Sequence, residues 1–220
     1  MAYPSPVIIR STAQHTATVI FLHGLGDTGH GWSQAFEMIK SPHVKYICPT
    51  AKTMRVTLNA GMAMPAWFDI KSLAMNTAED HVEIKASSAY VQSLIEEEIK
   101  NGIEPNRIVV GGFSQGGAIG LYSALTSSKT LAGILALSTW LPLNGSFPGA
   151  LKGNSSTPIL QCHGKIDPVV NFTYGEMTAA VLSKMCSKHT FMKYSDLGHS
   201  SSPKEMEDVK NWLNNVIPTR

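Results

Sequence analysis

Charge, cysteine and long apolar runs are all scarce in this chain. Only 15% of its 220 residues are Asp, Glu, Lys or Arg, and the formal net charge is +2. The basic residues are scattered, which leaves no electrostatic footprint for nucleic acid. The one compact charge run, Glu96-Glu97-Glu98, falls inside a helical pattern and reads as a solvated face. Three cysteines, Cys48, Cys162 and Cys186, are too few and too far apart for a disulfide framework, and no pair has metal-ligand spacing. No run approaches the roughly 18 apolar residues of a membrane span. The start, Met1-Ala2-Tyr3-Pro4-Ser5-Pro6, has no basic segment followed by an apolar one, so no secretory signal is expected. These absences lead us to expect a cytoplasmic protein with at most peripheral membrane contact and no metal or organic cofactor.

The apolar fraction, 43%, suits a globular chain, and the length suits one domain over residues 1–220. Short apolar runs alternate with helical patterns. Strands are predicted at 17–22, 44–48, 107–113, 131–137, 158–162 and 190–194, with an extra edge strand at 6–10. The runs are continuous rather than alternating, which suits strands covered on both faces. Helices are predicted at 79–101, 115–127, 174–186 and 204–216. The alternation predicts an α/β fold with a mostly parallel central sheet and helices on both faces. Residues 49–76 and 138–157 read as long loops after strands, at the sheet edge where open α/β sheets bind ligands.

Residues 107–117, RIVVGGFSQGG, place Ser114 between Gly112 and Gly116 just where a strand-like run gives way to a helix-like one. A G-x-S-x-G pattern in that setting is the signature of a nucleophile elbow. A serine hydroxyl is a poor nucleophile and needs a base, which in turn needs an acid to orient it. Of the histidines beyond Ser114, His199 lies in a loop after the last strand and before the last helix. His189 precedes that strand at the opposite edge and reads as an exposed loop residue. His163 directly follows a strand and reads as structural. The acid is Asp167 or Asp196. Asp196 stands three residues from His199, too near to reach the far imidazole nitrogen with ease, so Asp167 is favoured. An oxyanion hole requires two backbone N–H groups: one from Gln115, the other from the Gly-rich loop 23–31 after an early strand. That loop lacks the lysine and the spacing of a phosphate cradle.

Five runs, read together, resemble the acyl-protein thioesterases, also called lysophospholipase-type carboxylesterases. They are HGLGDTGHGW at 23–32, MPAWFD at 64–69, GGFSQGG at 111–117, STWLP at 138–142 and GHSS at 198–201. The resemblance implies an α/β-hydrolase that removes fatty acyl groups, palmitoyl above all, from cysteines of cytoplasmic proteins, and that also cleaves lysophospholipids and short esters. It implies a triad of Ser114, Asp167 and His199, with oxyanion N–H groups from Leu25 and Gln115, and a weak homodimer as a further expectation. The chain departs from the family pattern twice. Lys165 replaces the first Asp of the usual His-Gly-Asp-x-Asp-Pro, and Ala2 stands where some relatives carry an acylated cysteine.

A long acyl tail calls for an apolar groove beside Ser114. Met62, Met64, Trp67, Phe68 and Leu73 from one loop and Trp140 and Leu141 from the other are the expected walls. Two rivals remain: a general carboxylesterase or lysophospholipase with no protein substrate, and a non-catalytic binder of an apolar ligand, which a broken triad would signal.

Overall fold

The computed structural model describes residues 2–74 and 77–220. Met1 lies outside them, as do Met75 and Asn76, which close the expected 49–76 loop. The elements run β1 Val7–Ile9, β2 Ala17–Leu22, α1 Gly29–Ile39, β3 Val44–Cys48, β4 Thr53–Val56, β5 Met62–Pro65, α2 His81–Lys100, β6 Ile108–Phe113, α3 Ser114–Thr126, β7 Gly133–Leu137, β8 Ile159–Gly164, α4 Phe172–Met185, β9 His189–Tyr194 and α5 Pro203–Val216. Seven strands form one sheet in the order β1-β3-β2-β6-β7-β8-β9. All neighbours pair in parallel except β1, which runs antiparallel to β3. Among the described residues no helix is long and apolar enough to cross a membrane.

The continuous apolar runs have a direct physical cause. Along β2, Ile20 and Leu22 enter one core with residues of α2, α3 and α4. Val19 and Phe21, between and beside them, enter a second core with Trp32 and Phe36 of α1 and Val209 and Leu213 of α5. Helices thus cover both faces, and no strand position on β2 is left polar except Thr18. That hydroxyl donates to Glu98 at 2.6 Å. Each large apolar side chain so buried contributes roughly 1.5–3 kcal/mol.

The structure corrects the sequence reading in four places. Glu98 does not belong to a solvated face: it is buried and accepts from Thr18 and Lys45. Residues 49–76 are not one loop: β4 and β5 pair as an antiparallel hairpin, with Met54 opposite Met64 and Val56 opposite Met62. The Gly-rich loop ends at Thr28, and helix α1 begins at Gly29. A Cβ at Gly29 would sit 2.1 Å from the Cys48 carbonyl oxygen, so the glycine allows the helix start to press onto β3. His189 is not an exposed loop residue. It is the first residue of β9, half-buried, with Nε2 donating to Gln161 Oε1 at 2.9 Å.

Candidate active site

The site gathers at the C-terminal ends of β2, β6, β7, β8 and β9, as the parallel topology requires. Ser114 follows β6 directly and begins α3 with φ +53°, in the left-handed region that costs a non-glycine residue of order 1 kcal/mol or more. The turn is tight enough to exclude side chains on either flank. A Cβ at Gly112 would lie 2.4 Å from the Gly116 carbonyl carbon, and one at Gly116 would lie 2.3 Å from the His23 carbonyl oxygen. The strained serine is therefore held by close packing of β6, α3 and the end of β2.

Ser114 Oγ lies 3.0 Å from His199 Nε2, and His199 Nδ1 lies 2.8 Å from Asp167 Oδ2. The carboxylate accepts, so Nδ1 carries the proton and Nε2 accepts from the serine hydroxyl. The Phe113 ring packs on the imidazole with centroids 4.7 Å apart. Asp167 Oδ1 accepts from the N–H groups of Val169 and Val170, each at 2.9 Å. Burial pushes the Asp167 carboxyl up. The bonds from His199, Val169 and Val170 outweigh it and hold the group below its ordinary value. Asp196 is exposed on the His199 loop and stands outside this chain of bonds. His163 is wholly buried. It donates from Nε2 to the Val170 carbonyl at 2.8 Å, and burial first of all lowers its pKa, so it stays neutral behind the Asp167 loop.

Of the oxyanion candidates, Leu25 lines the same cavity as Ser114 and Gln115 follows the serine in α3. Neither N–H has a hydrogen-bond partner among the described residues. The Gln115 side chain is fully buried and clamps the 67–68 backbone: Oε1 accepts from Trp67 N–H at 2.9 Å and Nε2 donates to the Phe68 carbonyl at 2.7 Å.

A cavity of about 500 Å³ opens over Ser114 and His199, with Leu25, Trp32, Leu73, Trp140 and Val169 in its walls. A second, of about 440 Å³, shares Ile70, Leu73, Trp140, Val169 and Val170 with the first and continues past Phe68, Leu141 and Val181. Of the expected groove residues, Leu73 and Trp140 line both. Trp67 does not. It is 1% exposed, and its indole N–H donates to the His23 carbonyl at 2.8 Å, which makes it scaffold rather than wall. Met62 and Met64 sit on the β4–β5 hairpin and line neither cavity. Met62 is 61% exposed, whereas Met64 Sδ accepts from Asn59 Nδ2. Lys165 is exposed. Among the described residues no three His, Cys, Asp or Glu side chains converge to hold a metal ion.

Residues 3–217 match the family model described as phospholipase/carboxylesterase. The chain belongs to this family. Curated relatives include acyl-protein thioesterase 1 of Neurospora crassa, 43% identical over 99% of this chain and 94% of the relative. Acyl-protein thioesterase 1 of Cryptococcus neoformans is 44% identical over 90% of this chain and 92% of its own. Among solved structures, acyl-protein thioesterase 2 of Zea mays superposes with a TM-score of 0.88 at 34% identity, covering 98% of this chain and all of that one. A phospholipase/carboxylesterase chain with the α/β-hydrolase sheet is a hydrolytic enzyme, and the buried polar residues around its elbow acquire meaning from that. Two of them, His23 and Thr139, stood inside the sequence motifs with no role assigned. His23 also takes the N–H of Ala51, 28 residues away, and Thr139 bonds Ser114, 25 residues away, so spacing alone carried no signal for them.

Proposed function

We propose that this enzyme frees fatty acyl groups, palmitoyl above all, from S-acylated protein cysteines, and that it cleaves lysophospholipids and short oxygen esters with the same residues. The observation that carries the reading is the unbroken chain of hydrogen bonds from Ser114 through His199 to Asp167 at the floor of an apolar cavity. Thioesterase relatives of nearly equal length support the substrate class.

Ser114 Oγ attacks the thioester carbonyl carbon as its proton passes to His199 Nε2. The carbonyl π pair moves onto oxygen, and the Leu25 and Gln115 N–H groups receive that negative charge. Asp167, already held ionised, stabilises the imidazolium that forms. Collapse of the tetrahedral adduct breaks the C–S bond, and the leaving sulfur takes the proton from Nε2. Water then gives a proton to Nε2 as its oxygen adds to the acyl-serine carbonyl; the C–Oγ bond breaks, Oγ takes the proton back from Nε2, and the fatty acid departs, restoring Ser114. The tail follows the apolar path from Ser114 between Leu73 and Trp140 into the second cavity. Each CH₂ removed from water there contributes about 0.8 kcal/mol.

A fluorophosphonate probe should label the wild type at Ser114. Ser114→Ala should lose both labelling and hydrolysis, the latter by on the order of 10⁴-fold or more. Equal labelling of the mutant would end the serine mechanism. Palmitoyl thioester and palmitoyl oxygen ester, compared at equal concentration, separate a protein thioesterase from a lipid esterase. A preference confined to lysophospholipid would overturn the protein-substrate reading.

A further inference from the structure

Each proposed oxyanion donor is one end of a peptide unit, and each of those units is gripped at its other end by a buried side chain. Leu25 N–H shares its peptide plane with the Gly24 carbonyl. His23 Nδ1 lies 2.6 Å from that oxygen. Gln115 N–H shares its plane with the Ser114 carbonyl. Thr139 Oγ1 donates to that oxygen at 2.6 Å. Both side chains are wholly buried. A trans peptide is planar and its C=O and N–H point in opposite directions, so a bond that fixes the oxygen also aims the hydrogen. A donor on the carbonyl polarises the amide as well and strengthens the N–H at its far end.

We propose that His23 and Thr139 are positioning residues for the oxyanion hole, acting through the Gly24–Leu25 and Ser114–Gln115 peptides. The inference rests on the proposed roles of Ser114, Leu25 and Gln115.

The tautomer of His23 is set by its surroundings. Nε2 accepts from the Ala51 N–H at 2.9 Å, so the ring proton sits on Nδ1 and donates to Gly24. Burial lowers the pKa of this imidazole, which keeps Nε2 free to accept. The His23 carbonyl is held in its turn by the Trp67 indole. Two successive peptides before Leu25 are thereby fixed from the side away from the cavity. Thr139 follows β7, the strand next to β6 in the sheet, and reaches across to the elbow from there. Ser114 begins α3, so its carbonyl also faces the helical ladder. Losing the Thr139 bond therefore leaves no buried oxygen stranded and costs aim more than stability.

The test uses substitutions that separate aim from folding. Thr139→Val keeps the shape and removes the donor. His23→Asn keeps a donor near the Nδ1 position and gives up the Ala51 acceptor. His23→Gln keeps the acceptor near Nε2 and gives up the Gly24 bond. Removing an oxyanion donor outright costs about 10²–10³ in kcat, and misaiming one should cost on the order of 10-fold. We expect that loss in kcat for Thr139→Val and His23→Gln on a p-nitrophenyl ester, with KM near the wild-type value. The inhibition constant of a trifluoromethyl ketone, which forms a tetrahedral oxyanion on serine, should rise by the same factor. Thr139→Ser should return kcat to within about 2-fold of wild type. His23→Asn should melt earlier than His23→Gln and yet turn over faster. Wild-type kcat in Thr139→Val and His23→Gln, or losses that follow melting temperature alone, would overturn the inference. An active Ser114→Ala would instead sink the underlying serine mechanism.

Discussion

Asp167→Asn is the substitution for which the structure gives the sharpest expectation. The carboxylate makes three bonds: Oδ1 takes the Val169 and Val170 N–H groups, and Oδ2 takes His199 Nδ1–H. An asparagine has one oxygen to offer. If that oxygen keeps the two backbone donors, its NH₂ faces His199. If it turns to His199, NH₂ faces two backbone N–H groups and leaves both without an acceptor, at about 1–3 kcal/mol each. The first orientation wins by more than about 2 kcal/mol. His199 Nδ1 must then accept, the ring proton moves to Nε2, and Nε2–H points at Ser114 Oγ, where no lone pair remains to take the serine proton. The fold keeps two of its three bonds. We therefore expect kcat for a p-nitrophenyl ester to fall about 10⁴-fold, or about 5.5 kcal/mol in barrier, in a protein that still folds. The stability profile carries a second signature. Because the folded carboxyl is held below its ordinary value, ionised Asp167 stabilises the fold above about pH 4, and that contribution is lost as pH falls through the folded value. Asp167→Asn should lack this acid-side slope in urea unfolding. The exposed Asp196→Asn is the control and should be mild. A loss smaller than about 100-fold in Asp167→Asn, or a larger loss in Asp196→Asn, would refute the assignment of the acid.

Three further expectations follow from packing and burial. Glu205, in the first turn of α5, is fully buried with no partner for either carboxyl oxygen among the described residues, and burial, with Asp208 beside it, pushes its carboxyl up to about 8. The folded state thus keeps a proton that the unfolded chain releases near 4.3, so stability falls by about 1.4 kcal/mol per pH unit as pH rises between those values. Glu205→Gln should raise the melting temperature at pH 8 and change it little at pH 4.5; an equal effect at both would dismiss the buried-acid argument. Gly116→Ala would drive a Cβ into the His23 and Leu22 carbonyl oxygens, 2.3 and 2.4 Å away, and should cost about 1–3 kcal/mol together with most activity; unchanged urea unfolding would show that the elbow has slack. Leu73→Ser, in the wall shared by both cavities, should lower kcat/KM for palmitoyl substrates far more than for acetyl or butyryl ones, whereas Met64→Ser on the hairpin should show no chain-length trend. A uniform loss in Leu73→Ser would remove the acyl path from this account.

The parts of the fold that were legible are those whose cause is local. Strands β2, β3 and β6 to β8 are buried on both faces, and that condition writes itself into the chain as an apolar run, whereas β9 at the sheet edge is only half-buried. Helix α2 is capped by Asp80, whose side chain accepts from Glu83 N–H, and Gly102 beyond its end takes φ +92°. What was missed has weak local signatures. β4 and β5 are four residues each, one of them MAMP, and they pair only with each other. α1 begins with two glycines in its first three residues, which argue for a loop until the Cys48 backbone against Gly29 and the Asp27 carboxylate against Gly31 are known.

The site divides along the same line. Ser114 could be read because its backbone strain demands glycines at fixed offsets, and a demand on the backbone leaves a spacing in the sequence. Trp67 could not be placed from the sequence because an aromatic on a long loop looks alike whether it caps a cavity or fills a core. What decides is where the indole N–H finds its acceptor, and the His23 carbonyl lies 44 residues away. Thr139 and Ser114 are 25 residues apart and meet only because β7 pairs beside β6. The residues proposed to meet the substrate stand at strand ends, where topology and motif coincide. Thr139, proposed to aim one of them, is picked out by its neighbour in the sheet, and strand order is not written at any single position. Substitutions at His23 and Thr139 should therefore lower the rate while leaving Ser114, His199 and Asp167 in place.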